Sequence, residues 1–82
     1  MKIAVDISLY PLDADFLRPI RDVIARLNEH DGLEVVTNPM STQIRGDYDV
    51  VMAAVTREVK ATFAGVPKAV FAIKILNNPG SG

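Results

Sequence analysis

The chain has 82 residues, 49% hydrophobic and 23% charged, with no cysteine and a formal charge of −1. That suits one compact core without room for a second, and it excludes disulfides and thiolate metal sites, so stability must come from the core alone or from a core extended by self-association. The cationic excess that nucleic-acid binding draws on is missing, and no apolar run approaches the roughly 20 residues needed to span a bilayer. Met1-Lys2 leads directly into an alternating stretch and not into a signal sequence, which points to a cytoplasmic protein with no membrane partner.

From Lys2 to Tyr10, Ile3, Val5, Ile7 and Leu9 alternate with Ala4, Asp6, Ser8 and Tyr10, the period of a strand with one apolar face. Pro11 ends it. Asp13 or Asp15 is placed to cap a helix beginning between Asp15 and Arg18, whose apolar residues Phe16, Ile20, Val23, Ile24 and Leu27 recur at spacings of three and four. Pro19 is tolerable there only near the helix start. Arg18, Asp22 and Arg26 read as i,i+4 partners on a solvated face, and His30 as a cation closing the helix C-terminus. Asp31-Gly32 then breaks the helix.

Leu33 to Thr37 and Ser41 to Arg45 flank Asn38-Pro39, a strong turn signal, and so read as a hairpin. Gly46 is expected at a sharp bend with backbone angles a side chain would strain, and Asp47 as the side-chain cap of a second helix to about Ala64. Val51, Ala54, Val55, Val59 and Phe63 form its expected buried stripe, with Gly65 as C-terminal cap. Lys68 to Leu76 reads as a last strand, residues 1–77 as one domain and 78–82 as a loose tail. The order predicts an α+β, ferredoxin-like βαββαβ sandwich, with two helices on one face of a four-stranded antiparallel sheet and strands 2–10 and 41–46 at its centre.

The segment Pro39-Met40-Ser41-Thr42-Gln43-Ile44-Arg45-Gly46-Asp47 resembles the Pro-Met-x-Thr-x-Ile-x-Gly-Asp stretch of the YkoF-like thiamine-binding family. Ala4 to Leu12 and Phe71 to Ile75 are similar to that family's first and last strands, so the resemblance covers nearly the whole chain. It implies a non-enzymatic binder of thiamine or its hydroxymethyl-aminopyrimidine part, a carrier or sensor in thiamine salvage without a further cofactor. It also implies a homodimer or homotetramer. A second copy is the simplest cover for an open sheet face as sparing of large charged groups as that around Ala4 and Ala72.

With that ligand in view, the candidate contacts are Asp6, Ser8, Tyr10, Thr37, Asn38, Met40, Ser41 and Thr42, which converge on one end of the sheet. Asp6 has poor strand propensity and needs a partner: an ion pair with Lys74 or Arg45 serves as well as the exocyclic amine of a pyrimidine. Met40 either plugs a gap or lies against a ring; Tyr10 either packs over the sheet or stacks on the ligand. Thr37 and Thr42 also fit strands by propensity, Asn38 fits a turn, and parity sends Thr42 to the helix side, making it the weaker contact. A lone His30 supports neither a metal site nor a Ser-His-Asp triad. The acidic Leu12 to Asp15 stretch disfavours phosphate binding after the first strand, and the central strands lack the exposed aromatics of an RNA-recognition motif. Two other readings stay open: an ACT-like regulatory or assembly module, and an α+β barrel isomerase or monooxygenase with Asp6 or Lys74 as its acid–base group.

Overall fold

The computed structural model describes residues 1–80. Its elements are β1 (Lys2–Pro11), α1 (Leu17–Asn28), β2 (Glu34–Thr37), β3 (Thr42–Asp47), α2 (Tyr48–Gly65) and β4 (Ala69–Asn77). The strands form one sheet in the order β2-β3-β1-β4, and every neighbouring pair is antiparallel. The expected ferredoxin-like sandwich is therefore present. Register explains how one face becomes the core. Val5 stands between Ile44 and Ile75, and Ile7 between Thr42 and Ile73, all on the helix side; Asp6 stands between Gln43 and Lys74 on the other. Ile3, Val5, Ile44, Leu27 and Val51 are almost wholly buried, each worth about 1.5–3 kcal/mol of apolar burial.

The helix ends depart from expectation. Phe16, not an aspartate, is the N-cap of α1, and no side chain caps it. Asp13 accepts from the Ala14 amide at 2.6 Å and Asp15 from Arg18 at 2.9 Å, so both carboxylates are engaged just short of the helix. Asp47 does precede α2, but its carboxylate caps nothing; it meets the N-terminal ammonium of Met1 at 3.2 Å, and the Tyr48 amide donates to the Met1 carbonyl at 2.8 Å. At the far end Gly65 is still helical. The cap is Val66 in an extended conformation, its amide bonded to the Thr62 carbonyl at 2.9 Å.

Gly46 is needed, though not for its angles: only Gly32 and Gly80 among the described glycines have positive φ. A Cβ on Gly46 would lie 2.9 Å from the Gly32 carbonyl oxygen and 3.1 Å from Val51 Cγ2. The residue permits close approach between β3, the loop after α1 and α2. Asn77 belongs to β4 and the Asn78 amide donates to the Lys2 carbonyl at 3.2 Å, while Ser81 and Gly82 of the expected tail lie outside the described residues.

The buried stripe of α2 is Val51, Ala54, Val55, Glu58 and Thr62; Val59 is only partly buried and Phe63 is half exposed. At 100° per residue Glu58 and Thr62 lie on the line through Val51 and Val55, whereas Val59 and Phe63 fall toward one flank. A strictly apolar stripe was expected because buried carboxylates are rare, yet α1 brings the partners this one requires.

Candidate functional site

A cavity of about 240 Å³ opens at the end of the sheet where β1 finishes and the β2–β3 turn begins. Its apolar wall comes from Ile20, Val23, Ile24 and Leu27 of α1, with Ile7, Leu9 and Phe71 from the sheet. Its rim is the turn. The Asn38 amide donates to the Ser41 carbonyl at 3.0 Å, and Asn38 Oδ1 accepts from the Met40 and Ser41 amides at 2.9 and 3.1 Å. This side-chain turn holds residues 38–41 rigid and leaves the amide NH2 of Asn38 available. Thr37 and Thr42 face each other across the hairpin with their hydroxyls 3.1 Å apart.

Seven of the eight residues expected at the site line this cavity: Ser8, Tyr10, Thr37, Asn38, Met40, Ser41 and Thr42. Asp6 does not. It lies on the open face, and Ser41 Oγ donates to its Oδ2 at 3.0 Å, so it reaches the cavity only through Ser41. Lys74, opposite Asp6 in the register, makes no ion pair with it. Parity had made Thr42 the weaker contact because it points toward the helices. That placement is right, but the hollow is on the helix side, and Thr42 is buried in its wall. Spacing alone does not mark the aliphatic wall of α1 as part of a site, since a stripe facing a hollow and a stripe facing a filled core have the same period.

Tyr10 is the only ionisable side chain in the lining; the other polar groups are hydroxyls and one carboxamide. Such a lining can clasp a flat, partly apolar molecule carrying a few directional donors and acceptors, and it offers no carboxylate, imidazole or ammonium for acid–base chemistry. Met40, 85% exposed at the rim, can close over an occupant with a flexible thioether.

The ionisable groups gather elsewhere, between the two helices. Glu58 accepts from Arg26 Nε at 2.7 Å and pairs with His30 Nε2 at 2.5 Å, while Arg26 Nη2 donates to Thr62 Oγ1 at 2.7 Å. Burial pushes the Glu58 carboxyl up, but the hydrogen bonds and charges of His30 and Arg26 outweigh it and hold the group below its ordinary value. This corrects two expectations. His30 tethers the helices instead of simply closing α1, and Arg26 turns away from Asp22, leaving Arg18 to pair with Asp15 and, at 3.9 Å, with Asp22. Among the described residues no cluster of three or more His, Cys, Asp or Glu is arranged to hold a metal, and no helix is long and apolar enough to cross a membrane.

The sequence matches the family model for thiamine-binding proteins over residues 5–82. The chain belongs to that family. No curated protein matches it significantly. Among solved structures, a Streptococcus pneumoniae protein superposes with a TM-score of 0.85 at 23% identity, over 92% of this chain and 84% of that one. A hypothetical protein from Methanocaldococcus jannaschii gives 0.82 at 25% identity, over 99% and 84%. A candidate thiamine biosynthesis/salvage protein from Thermotoga maritima gives 0.70 at 22% identity, over 93% and 83%. At these identities the likeness establishes the shared fold, and the family assignment rests on the sequence match.

Proposed function

We propose that this thiamine-binding family member binds thiamine, or its hydroxymethyl-aminopyrimidine part, without transforming it, as a carrier or sensor in thiamine salvage. The observation that carries the reading is the cavity between α1 and the β2–β3 turn, apolar on its walls and lined with neutral hydroxyls, in a chain of this family. An aminopyrimidine ring fits against Ile20 and Ile24, with its exocyclic amine and ring nitrogens served by Ser41, Thr42 and the NH2 of Asn38. Tyr10 and Met40 flank it. The cationic thiazolium requires no more than the absence of a cation in the lining, which the cavity provides. Because a buried acceptor left unmatched costs about 1–3 kcal/mol, pyrimidines lacking the amine should bind roughly ten- to a hundredfold more weakly.

Titration calorimetry with thiamine, the free pyrimidine and its des-amino analogue tests this directly. Ile24→Trp, which fills the hollow from the α1 side, should abolish binding while the far-ultraviolet spectrum stays unchanged. Failure of the parent chain to bind either ligand would overturn the reading. A second reading, an ACT-like assembly module acting through homodimer or homotetramer contacts, draws on the exposed Tyr10, Val70 and Leu76 of the open sheet face. It predicts self-association that is indifferent to thiamine.

A further inference from the structure

β1 outruns β3. Their ladder extends from Lys2↔Asp47 to Ile7↔Thr42, while β1 stays paired with β4 as far as Pro11↔Ala69. Leu12 donates to the Lys68 carbonyl at 3.0 Å and Asn78 to the Lys2 carbonyl at 3.2 Å, so even-numbered residues of β1 turn their N–H and C=O groups toward β4. Odd-numbered residues face β3: Ile3, Val5 and Ile7 meet Gly46, Ile44 and Thr42. Next in line is Leu9, whose partner in the same register is Met40.

Met40 is not available to it. Asn38 Oδ1 takes the Met40 N–H at 2.9 Å, diverting it from β1. Among the described residues no group pairs with the N–H or C=O of Leu9 on this flank. Leu9 is only 8% exposed, and buried backbone groups are satisfied in the great majority of cases, so this pair calls for a partner that the chain does not supply. The cavity reaches the gap. Leu9 and Thr42, on the helix side of the sheet, line it, and so do Ser8, Tyr10 and Ser41, which parity puts on the opposite face. Both sets border one hollow because the ladder stops between Leu9 and the turn.

We propose that the backbone N–H and C=O of Leu9 are the specificity-determining contact of the site, pairing with a ligand edge that carries a donor beside an acceptor and takes the ladder position from which Met40 is diverted. This rests on the reading of the cavity as a thiamine site and deepens it. The exocyclic amine of the aminopyrimidine donates to the Leu9 carbonyl, and the adjacent ring nitrogen accepts from the Leu9 N–H. The second amine hydrogen and the far ring nitrogen remain for Ser41, Thr42 and Asn38. A hydroxyl rotates to donate or accept and so cannot tell an amine from a carbonyl. A strand backbone held on its other flank by β4 cannot rotate, and it opposes a reversed pattern with like groups, leaving both partners unpaired. The 4-oxo analogue of thiamine, in which a carbonyl and a ring N–H replace the amine and the ring nitrogen, should therefore bind at least about a hundredfold more weakly than thiamine.

Two measurements reach the Leu9 backbone itself. In hydrogen exchange followed by NMR, the Leu9 amide of the ligand-free chain should exchange at least about tenfold faster than that of Ile7, and saturating thiamine should slow it at least about tenfold. A chain assembled chemically with an ester in place of the Ser8–Leu9 peptide bond lacks the Leu9 N–H and keeps every side chain. It should bind thiamine about tenfold more weakly in calorimetry, and it should lose the parent's preference for thiamine over an analogue with carbon in place of the ring nitrogen beside the amine. A 4-oxo analogue that binds as tightly as thiamine would overturn the proposal and leave the cavity reading standing. So would bound thiamine that leaves Leu9 exchange unchanged, an ester chain that keeps the ring-nitrogen preference, or a ligand-free Leu9 amide as protected as that of Ile7. A parent chain that binds no thiamine overturns both.

Discussion

α1 meets its two neighbours by opposite chemistry. Toward α2 it presents Arg26 and, just beyond its end, His30, which close on the buried Glu58 so that both of its carboxylate oxygens have a partner. Toward the sheet and the β2–β3 turn it presents Ile20, Val23, Ile24 and Leu27, which stop short of the opposite wall and leave a hollow. The first contact is charged, directional and complete. The second is apolar and unfinished, and its only polar groups are neutral. Charges that neutralise one another hold a helix in place, and a ligand enters where packing is left open; separating the tasks lets one side of α1 be rigid while the other accommodates an occupant.

Removing Glu58 should have the largest effect. Glu58→Ala leaves Arg26 and His30 without their shared acceptor and should lower stability by about 2–4 kcal/mol in urea unfolding, short of the most severe cases because Arg26 is a third exposed. Thiamine affinity, measured well below the unfolding midpoint, should change little. An equally large loss of affinity would show that the two sides of α1 are coupled.

The same group sets an acid dependence. Its folded-state pKa is depressed below 4.5, so its contribution is fully present above that value and is lost as pH falls through the lower folded value. Stability should therefore decline through the acid range below pH 4.5, and Glu58→Gln should flatten that decline in denaturation followed as a function of pH.

Thr42→Val tests the cavity side. It keeps the shape, removes the hydroxyl that meets Thr37, and should cost about 1 kcal/mol of stability while weakening thiamine binding about tenfold by calorimetry. A variant as tight as the parent would mean that the hydroxyl serves only the hairpin.

The smallest effect belongs to Asp6→Asn. Because Asp6 acts on the cavity only through Ser41, and an amide oxygen can still accept from that hydroxyl, affinity should shift less than about threefold. A tenfold loss would place the carboxylate against the ligand after all, moving the charge to the side of α1 described as neutral.

Local pattern determined much of this protein. The alternation from Lys2 to Tyr10, the three-and-four spacing from Phe16 to Leu27 and the Asn38-Pro39 turn fix strand, helix and hairpin, because each depends on side-chain period and backbone angles over a few residues. They also gathered seven of the eight candidate contacts at one sheet end, since a turn and the strand beside it come together in any hairpin of this order. Only the tertiary structure decided which side of the sheet holds the hollow, because room depends on how far α1 stands from the turn and not on its spacing. It likewise decided that Glu58 belongs in the core, His30 and Arg26 supplying across 28 and 32 residues of sequence the partners without which a carboxylate stays in water. And it left β4 at the edge, where a strand that reads like any other exposes apolar residues on both faces of the sheet.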